Sequence, residues 1–272
     1  MASVPWSTHA VELGSRTVIK RFRGECRGHC EREWRALTLL DTYANGLAPA
    51  PHRADLTAVE PSVVMSRLAG EPMRGQLLTQ QQITALAAAV TRLHAAVPPS
   101  VLAQIPRRPG QQQELVAHIR SWAPKARPRA DGEVAKAMDC GLAWLAGSGI
   151  GRSVPPNVPP VFGPGDGNLA NYLWDGAGVR VVDFEDSGRS DRAFELAEIT
   201  EHVASWVDHP LDVATFLDHF DLTTAETARL RECRRLLALV WLFLLSFDDG
   251  ENPRNPPGTA ERQAGRLREL LG

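Results

Sequence analysis

The first part of the chain alternates short β-rich runs with one stretch of helical periodicity. Residues 10–13 and 17–22 are rich in strand-forming residues and flank the Gly14–Ser15 turn, which predicts a β-hairpin. From about Cys30 to Tyr43, apolar residues recur every three or four positions, as on the buried face of a helix. The pattern therefore predicts a small sheet with a helix packed beside it.

A change in pattern near residue 70 divides the chain. The β-rich run at 62–68 ends where Gly and Pro follow, and from Thr79 onwards the periodicity is helical. We therefore place a lobe boundary there, with an N-terminal lobe over residues 1–68 and a larger, mainly α-helical lobe over residues 69–272. The predicted fold class is α+β.

The second lobe is predicted to consist of helices that are interrupted by loops and by one hairpin. The turn at 175–178 lies between two β-rich runs and predicts that hairpin. Stretches rich in Pro, Gly or polar residues predict loops at 106–113, 124–132, 147–160, near 208 and at 249–258.

Composition and charge narrow the classes of function. With 272 residues and 43% hydrophobic content, the chain is expected to fold as one large domain or two lobes. The net charge of −2 provides no general attraction to a polyanion, so no nucleic acid partner is expected. The longest apolar run, residues 236–245, has about half the length of a membrane span and predicts a buried helix.

The cysteines and the first residues indicate the cytoplasm as the expected compartment. Four cysteines are too few for a disulfide scaffold in a chain of this length. The first residues contain no charged segment followed by an apolar one, which a secretory signal requires. Neither a membrane nor a secretion pathway is therefore expected to be involved.

The window from Gly163 to Asp186 carries the strongest chemical pattern. Asp166 is followed five residues later by Asn171, and Asp183 follows a β-rich run beyond the predicted hairpin. Phosphoryl transfer needs one carboxylate to deprotonate the attacking hydroxyl and two oxygen ligands for magnesium. The spacing therefore predicts Asp166 as the base and Asn171 and Asp183 as Mg²⁺ ligands.

These residues resemble the catalytic and metal-binding segments of the aminoglycoside phosphotransferase family, whose fold is two-lobed and protein-kinase-like. The loop of that family has the sequence His-Gly-Asp, four residues and Asn, and a later Asp is followed by Phe or Trp. This chain departs from the pattern at Pro164, where the family has His, and matches it at Gly165, Asp166, Asn171, Asp183 and Phe184. Residues 186–197 are also similar to the family's segment before the next helix. The resemblance implies a small-molecule kinase that uses ATP and Mg²⁺.

Two residues of the first lobe complete the resemblance. Lys20 resembles the strand lysine that contacts the nucleotide phosphates, and Glu33 resembles the helix glutamate that pairs with it. Only three of the thirty basic residues are lysines, which favours a specific need for a compact ammonium group at position 20. The resemblance also implies that residues 66–70 form the hinge whose backbone contacts adenine.

The nucleotide-covering loop of the family has no clear counterpart. Lys20 leaves room for barely one strand before its own, and Gly14 is the only glycine that precedes it. Three explanations stay open: the cover is absent, the Gly14–Ser15 turn partly replaces it, or the coding sequence begins further upstream. Each of them predicts weaker ATP binding than is usual in the family.

Acidic residues are in excess after the predicted metal ligand. Residues 183–201 contain seven acids and two arginines, and carboxylates near a cleft attract cations. The residues predicted to bind a cationic acceptor are Glu185, Asp186, Glu195 and Glu198. The alternative is that these acids pair with arginines or form a solvated helix face. Later loops would add Asp208, Asp248, Asp249 and Glu251 to an acidic patch.

Other chemically notable residues are assigned to packing. Cys26, His29 and Cys30 lie close in sequence, but no second pair at zinc-like spacing accompanies them, so no metal site is predicted there. Packing roles are also expected for His94, Trp206 and Trp241.

The sequence therefore predicts an ATP- and Mg²⁺-dependent kinase that phosphorylates a hydroxyl of a small molecule. An aminoglycoside or another amine-bearing natural product is the expected acceptor, with antibiotic resistance as the corresponding role. Two alternatives stay open: a non-catalytic or regulatory nucleotide-binding protein, and a kinase of a metabolite such as a choline-like amine, a sugar or a glycated amine. The choice between ATP and GTP and the oligomeric state also stay open.

Overall fold

The first lobe is built on an antiparallel sheet. The structure is a computed structural model, and it describes residues 9–151, 158–248 and 255–272. Its strands are β1 (Ala10–Leu13), β2 (Thr17–Arg21), β3 (Pro51–Asp55) and β4 (Ser62–Ser66). They pair in the order β1-β2-β4-β3. The predicted hairpin is confirmed, since β1 pairs with β2 and the Gly14 amide donates to the Thr17 carbonyl at 2.9 Å.

One helix packs on this sheet. Helix α1 (Arg27–Tyr43) contacts β3 and β4, and it begins before the start that the periodicity predicted near Cys30. Its buried face consists of Cys30, Ala36, Leu37 and Leu40 together with one charged residue, Glu33. A carboxylate among apolar side chains is costly unless it is paired, so the position of Glu33 points to a partner.

The second lobe is mainly helical. Helix α2 (Gln80–Ala96) begins as predicted after Thr79, whose side chain forms a capping box with Gln82. The other helices are α3 (Pro99–Leu102), α4 (Gln112–Ala126), α5 (Gly132–Gly147), α6 (Arg192–Glu201), α7 (Val213–Leu217), α8 (Thr224–Leu245) and α9 (Thr259–Leu271). The predicted apolar run lies in α8, which contacts α4, α5, α6 and α9 and forms the centre of the helical core. Among the described residues, no helix has the length and apolar character needed to cross a bilayer.

Two small sheets hold the segments that carry the candidate chemistry. They consist of β5 (Glu71–Pro72), β6 (Pro160–Gly163), β7 (Tyr172–Trp174), β8 (Val179–Val181) and β9 (Gly188–Asp191). One sheet has the order β5-β7-β8, and β6 pairs with β9 in the other. The hairpin predicted at 175–178 is confirmed: the Asp175 side chain accepts hydrogen bonds from the amides of Ala177 and Gly178. Asp166 thus follows β6, and Asp183 follows β8.

Two predicted loops are shorter in the structure. Helix α4 begins at Gln112 and continues through Pro124, which lies in its last turn and offers no backbone donor there. A short 3₁₀ turn follows, and α5 begins at Gly132. The other predicted loops include residues 152–157 and 249–254, which lie outside the described residues.

Candidate active site

A cavity of about 1040 Å³ separates the four-stranded sheet from the helical lobe. Its roof includes Val11 and Val18 of the β1–β2 hairpin, and Leu173 and Val182 lie on the opposite side. The predicted hinge residues Ser66, Arg67, Leu68 and Gly70 line one edge. The cavity also contains the side chains of Lys20, Glu33, Asp166, Asn171 and Asp183. The structure therefore brings all five predicted catalytic, phosphate and metal residues to one cleft.

Lys20 lies at the centre of a cluster of three carboxylates. It is 5% exposed on β2, between Val11 and Val63 of the neighbouring strands. Its Nζ lies 3.2 Å from Glu33 Oε2, 2.6 Å from Asp183 Oδ1 and 2.7 Å from Glu185 Oε2. Burial alone lowers the pKa of a lysine, but these carboxylates outweigh it and raise the pKa of Lys20 above its usual value. The ammonium is therefore charged throughout the physiological range.

Glu33 connects the first lobe to the segment that follows β8. Its Oε2 accepts hydrogen bonds from Lys20 Nζ and from the Phe184 amide, the latter at 2.8 Å. The neighbouring Arg32 Nε donates to the Glu185 carbonyl at 2.6 Å. These contacts supply the partner that the buried Glu33 requires, and they fix α1 against the backbone beside Asp183.

Asp166 is held in a tight loop after β6. Gly165 has a φ of +90°, and an added Cβ there would collide with the Asp186 backbone, so the turn requires glycine. The Asp166 Oδ1 accepts from the Asn168 amide at 2.9 Å, and its Oδ2 accepts from Asn171 Nδ2 at 3.0 Å. The side chain is 37% exposed to the cleft. Asp166 is thus oriented by its own loop and remains accessible.

Asp183 and Asn171 place their oxygens at the same wall of the cleft. The Val182 amide donates to the Asn171 carbonyl at 2.9 Å, which joins the two segments directly before Asp183. Asp183 has a φ of +68°, a left-handed conformation that costs energy for a residue other than glycine and is common at functional sites. Because the Asn171 amide nitrogen is used by Asp166, its side-chain oxygen is left as an acceptor. This all-oxygen donor set fits Mg²⁺.

The acidic segment does not form the predicted acceptor site. Glu185 lies in the cleft, but on the side of Lys20, and Asp186 pairs with Arg32 at 3.5 Å. Every one of its seven acids has a basic partner: Asp183 and Glu185 with Lys20, Asp186 with Arg32, Asp191 with Arg229, Glu195 and Glu198 with Arg108, and Glu201 with Arg234 and Arg266. For five of the seven acids, the structure therefore supports the alternative interpretation, pairing with arginines.

Glu195 and Glu198 in particular are packed beneath the loop that carries Asp166. Arg108 Nη1 lies 3.0 Å from Glu195, and its Nη2 lies 3.0 Å from Glu198. Glu195 also accepts from the Gly165 amide at 3.4 Å, beside Asp166. Burial raises the pKa of Glu198 to about 7, against the opposing effect of Arg108. These two acids support the loop and are not available to an acceptor.

Sequence reasoning missed two residues that contact this machinery. Arg108, from the segment between α3 and α4, pairs with Glu195 beneath the loop of Asp166, and His202 Nε2 lies 3.5 Å from Asp166 Oδ1. Neither belongs to a local motif, so only the folded chain reveals them. The predicted packing roles of His94 and Trp206 agree with their burial, and Trp241 packs edge-on against His202.

The acceptor side of the cavity has a mixed character. Beyond Asp166 it is lined by Arg74, Gly75, Val207, Asp208 and residues 255–257. No Phe, Tyr or Trp is among the described residues that line the cavity. Asp208 is the one member of the predicted later acids that lines it, whereas Asp248 contacts Asn255 and the positions of Asp249 and Glu251 lie outside the described residues.

A two-lobed fold with a strand lysine paired to a helix glutamate, and an Asp and Asn five residues apart facing a later Asp, defines the class of kinase-like phosphotransferases. The family model of the phosphotransferase enzyme family matches residues 4–237. The chain belongs to this family and is a small-molecule phosphotransferase.

Solved structures share the fold at low sequence identity. A complex of the aminoglycoside phosphotransferase APH(2'')-IIIa with GDP and kanamycin is 15% identical with a TM-score of 0.67, covering 99% of this chain and 91% of its own. The choline kinase LicA from Streptococcus pneumoniae is 14% identical with a TM-score of 0.60, covering 99% and 91%. APH(3'')-Id from Streptomyces rimosus is 17% identical with a TM-score of 0.62, covering 88% and 90%. No curated protein matches the chain.

Proposed function

We propose that this protein transfers the γ-phosphate of ATP to a hydroxyl of a small molecule in a Mg²⁺-dependent reaction. The observation that carries the proposal is the convergence of Lys20, Asp166, Asn171 and Asp183 on one cleft. A non-catalytic protein has no need to keep a buried lysine, an accessible base and an oxygen donor set in this arrangement. The same observation therefore argues against the regulatory alternative.

The proposed reaction assigns one task to each side chain. Asp166 accepts the proton of the acceptor hydroxyl, whose oxygen attacks the γ-phosphorus as the bond to ADP breaks. Lys20 donates hydrogen bonds to phosphate oxygens, and Glu33 holds its ammonium in place. Asn171 and Asp183 would hold Mg²⁺, which neutralises negative charge on the phosphates when it is bound.

The apolar part of the cleft supports the nucleotide assignment. Val11, Val18 and Met65 of the first lobe face Leu173 and Val182 of the second across the cavity. A purine ring fits between two such apolar walls, with the backbone of residues 66–70 at its edge. The β1–β2 hairpin lines this region through Val11, Leu13 and Val18. Partial replacement of the covering loop by the Gly14–Ser15 turn between these strands is therefore part of the proposal.

The charge of the cavity beyond Asp166 supports a proposal for the acceptor. We assign it to an amine-bearing small molecule whose amine would meet Asp208, the carboxylate beyond Asp166 on the acceptor side. An aminoglycoside fits this description, and resistance would be the corresponding role. A quaternary amine favours an aromatic box, which the described lining does not provide, so a choline-like acceptor is less well supported.

The test is acceptor-stimulated release of ADP by the purified protein. We expect release from ATP in Mg²⁺ to rise on addition of at least one member of a panel of aminoglycosides, peptide antibiotics and amino-metabolites, and EDTA to abolish the rise. GTP in place of ATP establishes the nucleotide preference. No stimulation by any acceptor, together with no nucleotide binding by calorimetry, would contradict the proposal and favour the non-catalytic alternative.

A further inference from the structure

A second cluster of metal-binding side chains lies beside the cleft. The ligand atoms of His9, Cys26 and His29 all lie within 4.8 Å of one another. His9 Nε2 is 3.2 Å from His29 Nδ1, although the two residues are 20 positions apart. Sequence spacing alone could not predict this cluster, because His9 arrives from the segment before β1. Cys26 is a free, half-buried cysteine one turn before His29.

The Glu185 carboxylate lies beside the two imidazoles of this cluster. Its Oε2 lies 3.2 Å from His9 Nε2, and its Oε1 lies 3.9 Å from His29 Nδ1. In a tetrahedral zinc site, with Zn–N near 2.0–2.1 Å and Zn–S near 2.3 Å, neighbouring ligand atoms are about 3.3–3.6 Å apart. The separations of 3.2 Å from His9 Nε2 to His29 Nδ1 and to Glu185 Oε2 are close to this geometry, whereas Cys26 Sγ, which lies within 4.8 Å of the imidazole nitrogens, would move closer on binding. Two imidazoles, one thiolate and one carboxylate are all ligands that Zn²⁺ accepts.

Glu185 brings one negative charge to the cluster. The Oε2 that faces His9 also lies 2.7 Å from Lys20 Nζ. A zinc ion between the two imidazoles would take this carboxylate as an anionic ligand and would use the Cys26 thiol.

We propose that His9, Cys26, His29 and Glu185 bind one Zn²⁺ ion. Binding displaces the thiol proton of Cys26 to solvent, as zinc ligation by cysteine requires. The ion would tie the segment before β1 and the start of α1 to the chain just beyond Asp183. It would thereby stabilise the contact between the lobes and fix the carboxylate that pairs with Lys20. This site is separate from the oxygen ligands Asn171 and Asp183, and it does not depend on the proposed reaction.

The test measures metal content and ligand type in the full chain with any affinity tag removed. We expect about one zinc per chain by mass spectrometry after growth in zinc, and on replacement by Co²⁺ an absorption band from thiolate-to-metal charge transfer. Cys26→Ser should lose the band, and His29→Asn should lose most of the bound metal. The matched controls Cys140→Ser and His52→Asn alter exposed residues of the same types and should behave as the wild type.

The thiolate band separates this site from metal held by carboxylates alone. Zinc should also raise the melting temperature of the wild type and not that of Cys26→Ser, which shows whether the ion is structural. A wild-type protein that retains no zinc and gives no band with Co²⁺ would overturn the proposal. A band that persists unchanged in Cys26→Ser would do so as well.

A different observation, the contact of His202 with Asp166, supports a second inference. His202 Nδ1 accepts a hydrogen bond from the Ala204 amide at 3.0 Å, so in the neutral ring the hydrogen is on Nε2. Nε2 lies 3.5 Å from Asp166 Oδ1, a distance that can shorten when substrate binds. Trp241 packs edge-on against the imidazole with ring centroids 4.5 Å apart.

We infer that His202 is a positioning residue for Asp166, an inference that rests on the proposed function. The Ala204 amide fixes the tautomer, and Trp241 fixes the ring plane, so that Nε2–H is directed at the carboxylate. Pro164, which precedes the loop of Asp166, offers no side-chain donor to it. His202 supplies a donor to the loop from α6's C-terminal end instead.

Two substitutions at position 202 separate orientation from packing. The amide nitrogen of His202→Gln can occupy the place of Nε2, whereas His202→Asn keeps only the acceptor for the Ala204 amide. We expect His202→Asn to lower kcat by about 10-fold to 100-fold, since misplacing a reacting group by about 1 Å costs up to about 100-fold. His202→Gln should restore much of this loss, and KM for the nucleotide should change little in either variant.

The turnover of the wild type and that of the variants test different statements. A wild type without acceptor-stimulated turnover would refute the proposed function, and the inference with it. An active wild type whose kcat is unchanged in His202→Asn would refute the positioning role alone. Equal loss in both variants, with melting temperatures lowered in parallel, would show that His202 acts through packing.

Discussion

Replacing Asp166 by alanine is expected to lower kcat by about 100-fold to 10,000-fold, the usual contribution of a positioned general base. The carboxylate is accessible, and Lys20 is held by Glu33 without it, while Asn171 loses only the acceptor of its amide nitrogen. The Asp166→Ala protein should therefore fold normally and bind nucleotide with nearly unchanged affinity. Steady-state kinetics, calorimetric titration with nucleotide and thermal melting measure these three quantities separately.

The matched control is Asp218→Ala, which removes an exposed aspartate after α7. It should leave kcat, KM and the melting temperature unchanged. Turnover retained by Asp166→Ala would remove the base assignment and would point to a reaction in which the acceptor hydroxyl needs no protein base. A large loss of stability in the variant would instead show that the carboxylate serves the loop.

The local motifs were predictable because each is set by chemistry within a few residues. Thr79 caps its helix through its own third neighbour, and the 175–178 turn closes through Asp175. Likewise, Asp166 and Asn171 contact each other within one loop. Such features depend little on the rest of the chain, so the sequence pattern was sufficient for them.

The acidic segment shows where sequence patterns fail. Its charge suggested an acceptor site, but each carboxylate meets a lysine or an arginine that is distant in the chain, as Arg108 meets Glu195 across 87 positions. No periodicity relates such residues. Strand β3 was missed for a related reason: an edge strand exposes much of its surface, so its residues are largely polar and give no alternating pattern.

The position of α1 follows from contacts that neither lobe provides alone. Glu33 accepts from the Phe184 amide, Arg32 donates to the Glu185 carbonyl, and the Ser187 hydroxyl donates to the Arg32 carbonyl at 3.4 Å. A shift of α1 would therefore have two effects at once. It would break the contact of Glu33 with Lys20, and it would displace the segment that contains Asp183. This coupling explains how Lys20 and Asp183, which are distant in sequence, remain side by side in one cleft.

The largest expected effect on stability comes from Arg108. Its guanidinium is nearly fully buried between Glu195 and Glu198, at 3.0 Å from each, and stacks on Phe194. Removing one partner of a buried ionic group costs about 3–5 kcal/mol, because the remaining charge has no compensation. We therefore expect Arg108→Met to lower the free energy of unfolding by an amount in this range, measured by chemical denaturation. Since Glu195 also contacts the Gly165 amide, kcat should fall as well.

The pH dependence of the Arg108→Met effect provides the internal check. Without Arg108, burial keeps the pKa of Glu198 in the folded protein above the unfolded value, so its ionisation at high pH opposes folding. The stability deficit should be full above the folded pKa of Glu198 and should shrink as the pH falls through that pKa, where the buried carboxylate takes up a proton. Glu198→Gln in the Arg108→Met background should recover part of the loss at pH near 8. The control Arg127→Met breaks an exposed pair with Asp139 and should have a much smaller effect. Equal effects of the two arginine substitutions would show that the buried cluster does not support the catalytic loop.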